Sequence, residues 1–259
     1  MVAPGYVERV LVLPWHLTDY LAGGLNVTLP PEATTVYGVP GRTGEPWTDL
    51  AGVYAGLADA VAAASAPPVV ISGDCVACLA VIAGLQRRGV QPGLVWFDAH
   101  GDFHTEATTT SGYLGGLPLA KAVGRGDRAL PDALGLTPLP EDAVLLADGR
   151  DLDPAEVTAL AGSRVLRAPV SELSTAALPD GPVVVHVDLD VIDAAALRGL
   201  RFPAPGGPSR QAVADAVAAV ARRREIAALD IAATWRPGDT DREATDAALL
   251  AVLAAAGLE

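Results

Sequence analysis

The sequence predicts an α/β fold: a three-layer α/β/α sandwich around a central, mostly parallel sheet. Short runs rich in Val, Leu and Ile recur along the chain, and each is followed by a turn and an amphipathic stretch with helical periodicity. Runs that are apolar throughout, rather than alternating, are typical of parallel strands covered by helices on both faces. The alternation of strands and helices favours a doubly wound sheet, with a (β/α)₈ barrel as the alternative at this length.

The individual elements follow from these patterns in chain order. Ser209 is a natural N-cap for the third predicted helix, and Gly257 ends the fourth. No internal repeat or low-complexity linker interrupts the chain, so we expect residues 1–259 to form one domain. The predicted strands are Val7–Leu13, Val69–Ser72, Gly93–Phe97, Ala143–Ala147, Val183–Val187 and Glu225–Leu229. The predicted helices are Leu50–Ala64, Val76–Arg88, Arg210–Arg224 and Asp241–Ala256.

Composition excludes several classes of function. The net charge is −13, and the 18 basic residues include a single lysine, Lys121, so no basic stripe is available to bind nucleic acid. No run of about 18 uncharged apolar residues is present, which argues against a membrane span. The segment Met1–Arg9 carries Glu8 and lacks the basic start and cleavage site of a signal peptide. We therefore expect a cytoplasmic protein that acts on a small molecule.

Metal-binding side chains follow two of the predicted strands. Asp98, His100 and Asp102 come at alternate positions directly after Gly93–Phe97, and Asp188 and Asp190 follow Val183–Val187. Isolated strings of this kind usually mark solvated turns or helix caps. Here two of them follow fully apolar strands, whose carboxyl ends meet at one edge of a parallel sheet. Carboxylates buried together repel one another unless a cation lies among them, so the pattern predicts a metal site.

The donor types indicate which metals would bind. Mixed Asp and His ligands suit Mn²⁺, with Zn²⁺ or Fe²⁺ as alternatives, and a Cys ligand shifts the preference toward Zn²⁺. Cys75 follows the predicted strand Val69–Ser72, and Cys78 lies one helical turn later. A disulfide between them would be strained at this spacing, and no second pair completes a zinc set. We expect Cys75 to face the carboxylate cluster and Cys78 to face the core.

Several motifs follow one another along nearly the whole chain. They are residues 95–104 (VWFDAHGDFH), 108–118 (TTTSGYLGGLP), 150–156 (RDLDPAE) and 186–193 (HVDLDVID). Taken together, they resemble the motifs of the arginase and agmatinase (ureohydrolase) family, and the combination is specific although each motif alone is not. Gly73–Cys75 stands where that family has Gly-Gly-Asp-His, and Leu229–Ile231 falls in the right order.

This resemblance implies a three-layer fold, two Mn²⁺ ions and hydrolysis of a guanidinium group to urea or a substituted urea. Water activated between metal ions near neutral pH is compatible with that reaction. Family members often form trimers or hexamers, so a homo-oligomer is expected. The matching ligand positions are Asp98, His100, Asp102, Asp188 and Asp190, with Asp98 and Asp188 as the bridging pair. The matching substrate positions are Asp153, near an α-amino group, Glu156, which supports it, and Ser111, near a carboxylate.

Three positions depart from the family pattern. Cys75 replaces a histidine ligand, Gly115 replaces a histidine that is thought to shuttle protons, and Ala233 replaces a glutamate that pairs with the guanidinium. A bound guanidinium would lose a charge-assisted contact without that glutamate. His104 is a candidate for the missing acid–base group, with Asp102 as the other candidate catalytic residue. The alternative for His104 is a surface-loop histidine.

Four further polar residues are expected to support the structure around the site rather than to bind metal. We expect His186 to support a metal ligand rather than bind metal, and His16 to be a structural histidine near the rim of the site. Asp193 and Asp230 are expected to hold loops through backbone hydrogen bonds.

Three functions remain open from the sequence. The first is a metal-dependent hydrolase that cleaves a C–N bond of a guanidino or related amino-acid-like substrate, such as an N-substituted arginine. The second is a catalytically inactive family member with a binding or structural role. The third is a mononuclear zinc amidohydrolase that uses Asp98, His100 and Asp188.

Overall fold

The structure is a computed structural model that describes residues 10–233 and 241–258. Its centre is an eight-stranded sheet in which every neighbouring pair of strands is parallel, in the order β4-β1-β5-β10-β9-β6-β7-β8. A short antiparallel hairpin, β2–β3, lies outside this sheet. The strands are β1 (Val10–Leu13), β2 (Trp15–His16), β3 (Asp19–Tyr20), β4 (Thr34–Thr35), β5 (Val69–Ser72), β6 (Gly93–Asp98), β7 (Val144–Asp148), β8 (Leu166–Ala168), β9 (Val183–Asp188) and β10 (Ile226–Ala232).

Helices cover both faces of the sheet. Alternate side chains of each strand point to opposite faces, so Leu94 and Trp96 belong to one buried apolar cluster and Val95 and Phe97 to the other. The cluster of Leu94 packs under α1, α2 and α4, and the cluster of Val95 packs under α6 and α7. The helices are α1 (Pro46–Ala63), α2 (Ala77–Arg87), α3 (Pro118–Ala122), α4 (Ala129–Leu134), α5 (Pro154–Ala161), α6 (Arg210–Ala221) and α7 (Arg242–Ala256). The predicted three-layer sandwich is confirmed.

The sheet is open, with β4 and β8 at its edges, so the barrel alternative is wrong. Both edge strands escaped prediction because they are only two and three residues long and carry no apolar run. The cap of α6 is confirmed, since the Ser209 hydroxyl accepts a hydrogen bond from the amide of Ala212. Gly257 ends α7 in the left-handed conformation, as predicted. The start of the first predicted strand, Val7–Arg9, lies outside the described residues.

The strand ends differ from the predicted ends mainly at the carboxyl edge of the sheet, where the predicted metal ligands lie. Strands β6 and β9 each run one residue further than predicted and include Asp98 and Asp188. Strand β10 is displaced toward its carboxyl end, to Ile226–Ala232. Among the described helices, none combines the length and the apolar character needed to cross a lipid bilayer.

Candidate metal centre

Neighbouring strands deliver the predicted ligands to one place. Strands β6 and β9 are paired with Phe97 opposite Val187, so the next residues, Asp98 and Asp188, end their strands at the same level. Strand β5 lies two positions from β9, across β10, and the turn after it brings in Cys75. Their shared position follows from parallel pairing, because parallel strands end at a common edge of the sheet.

Short contacts connect the candidate ligands. The Cys75 thiol donates to Asp188 Oδ2 at 2.9 Å. His100 Nδ1 lies 3.1 Å from Asp190 Oδ2 and 3.4 Å from Asp98 Oδ1. The three aspartates and Cys75 are buried, whereas the His100 side chain is 27% exposed and faces the cleft above the cluster.

The ligand atoms divide into two neighbouring groups that share one residue. Cys75, Asp98 and Asp102 form one group, and Asp98, His100 and Asp190 form the other, with the ligand atoms of each group within 4.8 Å of one another. Asp188 joins the two, because its Oδ2 accepts from Cys75 and its Oδ1 accepts from the amide of Asp190 at 2.9 Å. Asp98 therefore belongs to both candidate ligand groups, and Asp188 contacts a residue of each.

The electrostatics of the cluster favour a cation. Burial, followed by repulsion from neighbouring carboxylates, raises the pKa of Asp188 and Asp102 well above the usual range and that of Asp190 to about 6. Burial and the negative charge of Asp188 also raise the pKa of the Cys75 thiol. Burial alone would lower the pKa of His100, but its contacts with Asp190 and Asp98 outweigh burial and raise that pKa to about 12. A divalent ion among these groups would replace protons as the source of positive charge.

Asp102 provides a direct test of whether the residues fit a metal. Its Oδ2 is buried and has no hydrogen-bond partner among the described residues. Its backbone φ is 48°, in the left-handed region that Asp tolerates better than most residues but seldom adopts without cause. A buried carboxylate oxygen without a hydrogen-bond partner is costly unless a cation or another donor meets it, so this oxygen is suited to bind a metal ion. The donor set therefore fits divalent metal ions.

Local hydrogen bonds aim the two strand-terminal aspartates. Asp98 Oδ1 accepts from the amide of His100 at 2.7 Å, and Asp188 accepts in the same way from the amide two residues later. The indole of Trp96 donates to Asp98 Oδ2 at 2.9 Å, and its ring stacks on His186 at 3.7 Å between centroids. His186 thus acts on the cluster through Trp96.

The expectation for Asp230 was wrong, whereas that for Asp193 is confirmed. Asp230 is fully buried in strand β10, where its Oδ2 lies 2.6 Å from His186 Nδ1, so it holds a side chain rather than a loop. Asp193 does hold a loop, accepting from the amides of Ala195 and Gly207.

A cleft of about 280 Å³ opens over the cluster, lined on one side by the predicted substrate residues Ser111, Asp153 and Glu156. His104 also lines it and is only 8% exposed, so the surface-loop alternative for this residue is wrong. His104 Nε2 lies 3.0 Å from Asp153 Oδ2, and Nδ1 lies 3.1 Å from Thr108 Oγ1, so both ring nitrogens have partners.

Glu156 reaches the site from helix α5. Its carboxylate accepts from the amide of Asp153 as part of a capping box and from the amide of Phe103 at 2.9 Å. Glu156 therefore connects the start of α5 to the loop after β6 and holds Asp153 at the rim. Ser111 is exposed there, and its hydroxyl accepts from the amide of Tyr113.

Residues that the sequence reasoning missed complete the wall of the cleft. Tyr113 and Phe202 line it, with ring centroids 4.8 Å apart, and Phe202 also meets the His100 ring edge-on. Tyr113 lies inside the motif of residues 108–118, two residues before Gly115, but the sequence analysis assigned it no role. Phe202 comes from a loop after β9 that has no local motif.

Comparisons of the sequence with known proteins relate this chain to arginases. The arginase family model matches residues 41–257. Arginase from Eremothecium gossypii is 32% identical over 188 residues, which cover 66% of this chain and 47% of that protein. The N(omega)-hydroxy-L-arginine amidinohydrolase of Streptomyces lavendulae is 30% identical, covering 67% of this chain and 63% of that protein. The chain thus spans about half the length of the curated relatives it matches.

Solved structures support the fold independently. The crystal structure of arginase from Bacillus cereus superimposes with a TM-score of 0.71 at 26% identity, covering 81% of this chain and 78% of that one. The fold and the cluster define an α/β protein of the arginase type. The chain belongs to the arginase family.

Proposed function

We propose that this protein uses two divalent metal ions to hydrolyse a C–N bond of a small guanidino or related amino-acid-like substrate. Mn²⁺ is the favoured metal, and Zn²⁺ is the alternative. The observation that carries the proposal is the pair of adjoining ligand groups that share Asp98. Metal ions bound there supply an activated water and polarise the substrate. The residues that would hold them are Cys75, Asp98, His100, Asp102, Asp188 and Asp190.

The wall of the cleft indicates the substrate class. Ser111 offers a hydroxyl, and the Asp153 carboxylate lies at the rim with Glu156 behind it, a pattern suited to the carboxylate and amino groups of an amino acid. Ala233, the residue directly after β10, offers no carboxylate to a guanidinium cation. We therefore favour an N-substituted arginine over arginine itself, in line with the activity named for the Streptomyces lavendulae relative.

Metal content distinguishes this proposal from its rivals. Protein purified without added metal, then loaded with Mn²⁺ or Zn²⁺ and desalted, should carry two ions per chain. Zero ions would indicate a member with a binding or structural role. One zinc ion, with turnover of N-acetylated amines, would indicate a mononuclear amidohydrolase.

A substrate panel tests the reaction itself. The Mn²⁺-loaded protein should release urea or a substituted urea from N(omega)-hydroxy-L-arginine or another N-substituted arginine. It should hydrolyse free L-arginine and agmatine very slowly, because both present an unsubstituted guanidinium. Brisk turnover of L-arginine would overturn the proposed preference but not the reaction class.

A homo-oligomeric state and a cytoplasmic location are part of the same proposal and rest on family resemblance and composition. Light scattering on the purified protein and fractionation of its source cells would test them.

A further inference from the structure

The cleft contains the hydroxyl of Tyr113, to which no role has been assigned, next to Gly115, which has no side chain. Tyr113 lies in the wall of the cleft, two residues before Gly115. A Cβ added at Gly115 would lie under 3.0 Å from Cε1, Cζ and Oη of Tyr113, closer than real Cβ atoms approach other heavy atoms. The phenol therefore fills the space into which any side chain at position 115 would project. Glycine at 115 is the condition for this placement.

Two aromatic neighbours hold the Tyr113 ring. Tyr113 Oη lies 3.0 Å from His16 Nε2, and the two rings are stacked, with centroids 5.9 Å apart and planes 15° apart. Phe202 packs against the ring at a second point, with the centroids 4.8 Å apart. The hydroxyl is therefore placed by contacts rather than free to rotate into solvent.

Among the pocket residues, Tyr113 retains hydrogen-bonding capacity that His104 lacks. Both ring nitrogens of His104 already have partners, in Asp153 and Thr108. When His16 Nε2 carries the ring proton and donates to Tyr113 Oη, the hydroxyl proton of Tyr113 is left to donate to a ligand. Burial, followed by the negative charge of Asp74, raises the pKa of Tyr113 above its usual range, so the phenol stays protonated near neutral pH.

We propose that the Tyr113 hydroxyl is a catalytic group of this site, which hydrogen-bonds the substrate's departing nitrogen, and that His16 is its positioning residue. This inference rests on the proposed function, because a departing nitrogen exists only if a C–N bond is cleaved. The Tyr113 hydroxyl would supply the hydrogen bond to that nitrogen, which Gly115 cannot supply because it has no side chain. A hydrogen bond made as charge develops accelerates a reaction more than it improves substrate binding.

Four variants test the assignment. Tyr113→Phe removes only the hydroxyl, and Gly115→Ala forces the ring out of its place. His16→Ala removes the positioning contact, and Tyr20→Phe is the matched control, since Tyr20 is an exposed tyrosine of strand β3. With a substrate identified in the panel, Tyr113→Phe should lower kcat by about 10²-fold with little change in KM or metal content.

Non-additivity separates a catalytic role from a structural one. Gly115→Ala should lower kcat as Tyr113→Phe does, and the double variant should be no worse than either. His16→Ala should lower kcat less than Tyr113→Phe does, and it should have little further effect in the Tyr113→Phe background. If Gly115→Ala does not fold, Tyr113→Phe alone decides.

A readout without turnover is the affinity of the Mn²⁺-loaded protein for azide, a small anion that binds metal ions and accepts hydrogen bonds. Loss of the hydroxyl should weaken azide binding roughly tenfold, while Tyr20→Phe should bind azide as the native protein does.

The outcomes separate this inference from the proposed function. Weaker azide binding by Tyr113→Phe without turnover of any panel compound would support the hydroxyl as a ligand contact while the proposed function fails. Unchanged azide binding and unchanged kcat in Tyr113→Phe would overturn the inference alone. A native protein without metal, or with metal but neither azide binding nor turnover, would overturn both proposals.

Discussion

The floor and the wall of the cleft differ in how closely they follow the pattern that the sequence resemblance implies. The floor is formed by the predicted ligands Asp98, His100, Asp102, Asp188 and Asp190, and among the predicted ligands only Cys75 departs from the pattern that the resemblance implies. The wall contains Gly115, where the resemblance implies a histidine, together with the aromatic pair Tyr113 and Phe202. The floor must satisfy the repulsion among buried carboxylates, which restricts substitution. The wall only has to fit a substrate, so we expect substitutions there to be tolerated more readily than in the floor.

The largest effect should come from breaking the floor. Asp98→Ala removes the carboxylate shared by both ligand groups, so metal content should fall below one ion per chain and C–N hydrolysis should drop by at least about 10³-fold. Elemental analysis and steady-state kinetics measure the two effects. Asp142→Asn, at an exposed aspartate far from the cluster, is the control. Full metal content in Asp98→Ala would show that the shared-ligand interpretation is wrong.

A smaller effect is expected at Cys75, where the floor itself departs from the pattern. Cys75→Ala should weaken binding of one of the two ions by about 10- to 100-fold and leave the other in place, because only one ligand group contains the thiol. Calorimetric titration with Mn²⁺ and with Zn²⁺ measures this, with Cys78→Ala as the control. In the native protein, a thiol reagent should modify Cys75 faster once a chelator has removed the metal. Equal reactivity with and without chelator would exclude the thiol as a ligand.

The wall can be tested by introducing a histidine at position 115, where the resemblance implies one. Gly115→His should not create arginase activity by itself, since Tyr113 occupies the space, and it should reduce the free energy of unfolding by about 1–3 kcal/mol. Denaturant unfolding checks the stability. Gly116→His is the matched control, because no heavy atom lies within 4 Å of a Cβ added there. Adding Tyr113→Ala should recover much of the loss, and equal stability of the Gly115 and Gly116 variants would contradict the steric argument.

The smallest effect concerns pH. Burial and the positive charge of Arg201 lower the pKa of His16 from 6.5 to about 4. Between these pH values the unfolded chain binds a proton that the folded protein does not, so His16 makes stability fall as pH decreases from 6.5 to 4. The slope is about 1 kcal/mol per pH unit. In His16→Gln this contribution to the slope should be absent, as measured by unfolding at pH 4.5, 5.5 and 7. An identical pH dependence in both proteins would show that His16 does not titrate this way.

Prediction of the fold from sequence worked where apolar runs were long. Strands β5, β6 and β9 were placed to within one residue, because fully buried parallel strands leave an uninterrupted apolar pattern. The two edge strands, β4 and β8, carry too few apolar residues to leave one. The short helix α5 was likewise missed, although Asp153 and Glu156 form its capping box.

Sequence alone was sufficient for the fold class and for the residues that gather at the carboxyl edge of the sheet, because strand direction and the order of polar residues are local properties of the chain. Tertiary structure decided how these residues are arranged. It showed that Asp98 belongs to two ligand groups, that Asp230 faces His186 rather than a loop, and that His104 is already engaged by Asp153. It also placed Tyr113 in the space beside Gly115, with His16 contributed from a distant hairpin. Such contacts join residues that are far apart in the chain. No local sequence pattern therefore indicates which side chain occupies the space beside a glycine.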